Sequence, residues 1–246
     1  MLELTTTRHN PLIDPALHVW GWEIPVYLFL GGMVAGMMVF AGLAMLKTAK
    51  GEDTRNFFSL QTPLLAFVLL NIGMLALLLD LAHPLYVWAI YITFMPASPM
   101  AWGSWVLLIV YAILLVSALI RLPEAWPWIG RALPVTQKAS DWFVTSPARI
   151  RALAWINIVF GIGVGIYTGI LLNTMVARPL WNTSVLPVLF LVSGLSAAAA
   201  ALHLAARVFG KRPAPQGMIS GAFAALGQPL GPQPPAPHTA ESLQRA

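Results

Sequence analysis

Cysteine is absent from the sequence, so the protein cannot itself ligate an iron–sulfur cluster through thiolates, hold a Cys-bound zinc, or form a disulfide. Charge is scarce too: 9% of its 246 residues are Asp, Glu, Lys or Arg, whereas 58% are hydrophobic. With a mean hydropathy of +0.75, this balance excludes an ordinary soluble domain. The net charge of +5 does not point to nucleic acid. Its basic residues gather at the ends of apolar stretches, where they set membrane topology.

Long apolar runs are what the sequence does have. Five stretches, at about 24–46, 62–82, 103–121, 153–176 and 184–206, are nearly free of charge, and each is long enough to cross a hydrocarbon core of about 30 Å. The first, from Ile24 to Met45, is too long and wrongly flanked for a cleaved signal peptide, so it is expected to remain as a span. Between the second and third spans, Pro84 to Pro96 is apolar, aromatic and short. That composition suits an interfacial or re-entrant helix.

Lys47, Lys50 and Arg55 lie in the first loop, Arg121, Arg131, Lys138, Arg149 and Arg151 in the third, and Arg207, Lys211 and Arg212 in the tail. By the positive-inside rule these segments face the cytoplasm. The expected fold is therefore an all-α integral membrane bundle of five helices, N-terminus out and C-terminus in. Residues 1–23 form a periplasmic segment, 24–207 the transmembrane bundle, and 208–246 a cytoplasmic Pro/Gly-rich tail with a disordered composition. Gly32 and Gly36, and then Gly161, Gly165 and Gly169, recur at helical spacing, which lets helix backbones approach closely.

Few side chains in this background can do chemistry. Asp80 is the one acidic residue inside a span, where an unpartnered carboxylate costs a few kcal/mol. His83, three residues on, shares its helical face, so the two could share a proton; the alternative is a solvated helix end. His18-Val19-Trp20-Gly21-Trp22-Glu23 places a carboxylate among aromatics at the outer boundary. Glu23 either snorkels to water within an aromatic belt or exchanges protons with a bound redox partner. Tyr167, in Gly165-Ile166-Tyr167-Thr168-Gly169, needs a hydrogen-bond acceptor, which a neighbouring helix carbonyl or a quinone carbonyl would each supply. Arg178-Pro179 ends the fourth span with a boundary cation. His203 has no second histidine at its depth, while His18 and His83 leave one outer haem site open.

Tyr27-Leu28-Phe29-Leu30-Gly31-Gly32, Ser98-Pro99-Met100-Ala101-Trp102-Gly103-Ser104-Trp105 and Arg178-Pro179-Leu180-Trp181-Asn182 together resemble the NrfD/PsrC family of polysulfide reductase membrane subunits, over roughly residues 18–205. The resemblance implies a multi-pass subunit of the bacterial inner membrane that exchanges electrons between menaquinone or ubiquinone and a ferredoxin-like iron–sulfur subunit, with no haem or cluster of its own. A molybdopterin subunit, or a multihaem cytochrome, would complete the complex. Tyr167 matches the family tyrosine that bonds quinone, and Asp80 resembles an acidic residue tied to a proton path. His83, His18, Trp22 and Arg178 complete the expected pocket, and Glu23 with Asp80 would move its protons. Family members typically have eight or more spans, so the resemblance implies a shortened member with five. An ion or proton transporter component and a haem-b anchor are the competing readings.

Overall fold

The computed structural model describes residues 21–52, 57–93, 95–96, 98–126, 133–174 and 183–209. Residues 1–20 of the expected periplasmic segment, His18 among them, and 210–246 of the expected tail, together with Arg178, lie outside the described residues, whereas Glu23 and residues 208–209 belong to the first and last long helices. Among those described there is no strand. The long helices are α1 (Glu23–Ala49), α2 (Phe57–Asp80), α4 (Pro99–Ala125), α6 (Pro147–Asn173) and α7 (Leu186–Phe209). Between α2 and α4 lie a 3-10 turn (Pro84–Tyr86) and the single-turn helix α3 (Ala89–Ile92). The amphipathic helix α5 (Pro134–Val144) joins α4 to α6.

All five long helices are long and apolar enough to cross a membrane, as the apolar runs imply. They exceed those runs at several ends because helix continues past the last apolar residue. Pro99 and Pro147 each stand at the first turn of their helix, where the missing proline N–H leaves no helical hydrogen bond unmade. The expected interfacial helix is divided into two short pieces, with Val87 and Trp88 as a turn between them. α5 carries no long apolar run, so a reading based on such runs passed over it.

α1 is the hub and packs against α2, α6 and α7. Of its apolar span 67% is buried, against 17% for α7, so α7 turns most of its surface outward. Met37, Met38, Val110 and Leu114 fill the centre. Glycines bring the backbones together, as their spacing implies. A Cβ at Gly36 would stand 2.7 Å from the Gly194 carbonyl oxygen, and one at Gly161 would stand 2.8 Å from that of Ala35. Neither position can take a side chain without moving a helix.

Alternating helix directions give the bundle two unlike ends. Lys47, Lys50, Arg121, Lys138, Arg149 and Arg151, the described lysines and arginines apart from Arg207, lie at one end or in the loops beyond it. At the other end the carboxylates are Glu23 and Asp80.

Candidate functional site

Tyr167 sits one and a half turns before the end of α6, away from the basic end. The stripe Gly161, Gly165 and Gly169 presses against α1 and α7: a Cβ at Gly165 would come within 2.7 Å of Leu191, and one at Gly169 would strike the backbone of Pro187. Tyr167, two residues from either glycine, projects off that stripe towards α4. Its hydroxyl donates to the Pro99 carbonyl at 2.5 Å, and its ring lies so close over Gly103 that no Cβ would fit there.

This contact gives the Ser98 to Trp105 motif a physical reading. Ser98 is extended and precedes the helix, Pro99 opens it, and Gly103 leaves room for the tyrosine ring. Trp102 turns its indole N–H back to the Pro96 carbonyl at 2.7 Å, which fastens the incoming loop to the first turn of α4. Of the two acceptors that the sequence leaves open for Tyr167, the structure shows the helix carbonyl in use.

The remaining expected site residues stand apart. Glu23 is half-buried in the first turn of α1, with its carboxylate folded back over Gly21; an acid suits that position because the helix N-terminus is electropositive. Asp80 is the exposed last residue of α2. His83 is also exposed, its ring edge-on to Tyr86 at 6.4 Å. Among the described residues no hydrogen bond or ion pair joins Asp80 to His83. Trp22 is 64% exposed, as an aromatic at a membrane boundary can be. His203 packs on Phe58, at the start of α2, with ring centroids 5.4 Å apart, and so lies a whole helix away from His83.

A cavity of about 20 Å³ between α1, α2, α4 and α6 is lined by Tyr27, Leu28 and Thr168 among others, and Tyr167 is not part of its wall. The cavity has room for about one water molecule.

Sequence reasoning passed over several polar groups. Tyr111 donates to Asn71 Oδ1 at 3.1 Å, and Asn71 in turn donates to the Phe67 carbonyl at 2.7 Å. Asn157 gives its amide hydrogens to Ser117 and to the Leu153 carbonyl, both at 2.9 Å. Near the basic end, Arg121 binds Glu124 at 2.8 Å and Thr48 at 2.7 Å. A lone Asn in an apolar span was the available signal, because such a side chain generally needs a partner.

A bundle of five helices long and apolar enough to cross a membrane defines the class as a multi-pass membrane protein. A family model described as "Polysulphide reductase, NrfD" matches residues 7–224. The protein is 35% identical over 185 residues to a polysulfide reductase chain of Wolinella succinogenes, an alignment that takes in 73% of the present sequence and 55% of that relative. To protein NrfD of Escherichia coli it is 31% identical over 193 residues, covering 76% and 59% respectively. A selenate reductase subunit of Mesobacillus selenatarsenatis is 25% identical over 210 residues, 78% of the present sequence and 48% of that one. The protein belongs to the NrfD family of multi-pass membrane subunits. It spans between about half and three fifths of the length of these curated relatives.

Proposed function

We propose that this protein is the quinone-reactive membrane anchor of an oxidoreductase complex, passing electrons between the quinone pool of a bacterial inner membrane and an iron–sulfur partner subunit. The observation that carries the reading is Tyr167, a neutral phenol fixed over Gly103 at the membrane boundary. Charge asymmetry supports a periplasmic location for this end, since the described lysines and arginines gather at the opposite one.

A quinone carbonyl can only accept, so Tyr167 must redirect its single proton from Pro99 to the ligand. Menaquinone or ubiquinone would take up or release two electrons and two protons. Glu23 and Asp80, both open to the boundary, are the carboxylates placed to relay those protons to water. His83 and Trp22, with His18 and Arg178 from outside the described residues, complete the proposed pocket. The exposed rings and side chains of Leu85, Tyr86, Trp88, Ile92 and Met95 form an apolar surface on which a ferredoxin-like iron–sulfur subunit would dock. A molybdopterin or multihaem catalytic subunit would lie beyond it.

An ion path would need its carboxylate and imidazole inside the bundle, whereas Asp80 and His83 stand exposed at one end. The test is Tyr167→Phe in the complete complex. We expect a fall of roughly ten-fold in kcat/KM for quinol, the order set by one lost hydrogen bond. Turnover with a soluble donor that feeds the iron–sulfur partner directly should stay unchanged. Equal quinol kinetics in the two proteins would remove Tyr167 from the site.

A further inference from the structure

At the basic end, α1, α2 and α7 enclose a groove of about 290 Å³ that the quinone reading leaves unused. Its apolar wall includes Phe40, Leu43 and Leu202, and its polar side carries Lys47, Thr62 and His203. Lys47 is exposed in the last turn of α1. Among the described residues, the ion pair is Arg121–Glu124, and no carboxylate neutralises Lys47. No carboxylate lines the groove either. His203 is held by its backbone neighbour: Nδ1 lies 3.0 Å from the Ala199 carbonyl. A carbonyl only accepts, so Nδ1 carries a proton, and Nε2 donates to a phosphate oxygen when the ring is in its imidazolium form, in which both nitrogens carry protons. The Thr62 hydroxyl bonds to the Phe58 carbonyl and Ser59, which also lines the groove, is buried, so Lys47 and His203 are its exposed polar tips able to turn to an occupant.

The groove is thus amphiphilic, with a cation at its mouth and hydrocarbon along its wall. Its volume is at the lower edge of small-molecule sites, which run from roughly 300 to 1,000 Å³. That space takes a head group and the top of an acyl tail, not a whole diacyl lipid. We propose that this groove binds one anionic glycerophospholipid, its phosphate held by Lys47 and His203 and the upper part of one acyl tail lying along Phe40 and Leu43. Charge complementarity selects the head group, because the uncompensated charge in the groove is positive and the whole end of the bundle is basic. The apolar wall selects a lipid over a free anion, since inorganic phosphate would leave Phe40, Leu43 and Leu202 facing water.

The test uses the full-length protein, delipidated in mild detergent and titrated with phosphatidylglycerol, with phosphatidylcholine of the same acyl composition, and with inorganic phosphate. Bound lipid is read by native mass spectrometry. The expected result is one retained phosphatidylglycerol per protein and little retention of phosphatidylcholine or phosphate. Lys47→Met should lower retention roughly five-fold, the contribution of one lysine near an anionic surface, while Lys138→Met should not change it. Leu43→Trp, which narrows the apolar wall without touching charge, should also lower retention. Because Leu43 is 47% exposed, that variant is expected to fold. Equal retention of both lipids, unchanged retention in Lys47→Met and Leu43→Trp, or displacement of the lipid by added menaquinone or ubiquinone would overturn the proposal.

Discussion

At the basic end of the bundle Arg121 is 2% exposed and reaches both Glu124 and Thr48, whereas at the other end Asp80 and His83 stand exposed with no bond between them. The contrast follows from burial. A polar group taken out of water must find its partners inside the protein, so the basic end is cross-braced. Thr48 passes its own proton to the Ala44 carbonyl at 3.2 Å, which ties α4 to the last turns of α1. Further along, Asn157 ties α6 to α4 through Ser117. In the half of the bundle that holds Tyr167, the hydroxyl bond to Pro99 ties α6 to α4 and the Tyr111–Asn71 bond ties α4 to α2, while Asp80 and His83 at its rim stay exposed. One end buries Arg121 among partners, and the other leaves its charged and titratable side chains exposed or half-buried.

The largest expected effect tests the braced end. Arg121→Met leaves the partly buried Glu124 carboxylate without its cation and Thr48 without its donor. The loss should be about 3 kcal/mol, at the low end for a broken buried pair because Glu124 is still 24% exposed. Thermal or denaturant unfolding in detergent would measure it. A change below about 0.5 kcal/mol would place Arg121 with ordinary surface substitutions and erase the distinction between the ends.

A middle-sized effect comes from the helix contacts between those ends. Gly36→Ala puts a methyl group 2.7 Å from both the Ala198 Cβ and the Gly194 carbonyl oxygen, so α1 and α7 must move apart, at a cost of about 2 kcal/mol. Gly163→Ala is the matched control. Nothing lies within 4 Å of its Cβ position, and alanine should be neutral or should stabilise by up to about 1 kcal/mol through helix propensity. If the two variants melt alike, the bundle is looser than the close glycine approaches require.

How much of this could be read beforehand depended on whether the signal was local. Five spans were legible because each is a continuous apolar run, and the glycines were legible because spacing alone places them on one face. Tyr167 was legible as a group needing an acceptor, but not its choice of Pro99, which depends on where α4 begins in space. Arg121 looked like a boundary charge; it is buried and bonded to Thr48, 73 positions away in the sequence. The pairing of Asn71 with Tyr111 and the groove at the basic end likewise join residues from different helices. α5 escaped notice for a different reason, since its pattern is amphipathic and its charge gives no apolar run. Asp80 shows the converse limit: it lies in an apolar stretch, yet the helix stops at that residue and leaves it exposed.

The smallest stability change should come from Asp80, and it separates the two meanings of exposure at that end. Asp80→Asn removes a negative charge from a helix C-terminus, where the macrodipole disfavours it. Stability should therefore stay within about 0.5 kcal/mol of the parent or rise slightly. Quinol turnover in the complete complex should nevertheless fall on the order of ten-fold, less than the roughly hundred-fold of an enclosed acid or base because water reaches the site. A small weak acid such as formate should restore part of the lost rate, since it can carry the proton that the amide cannot. Unchanged turnover would make Asp80 a solvated helix end. The proton relay would then rest on Glu23, whose replacement by Gln, assayed in the same way, would show whether the exposed end handles protons at all.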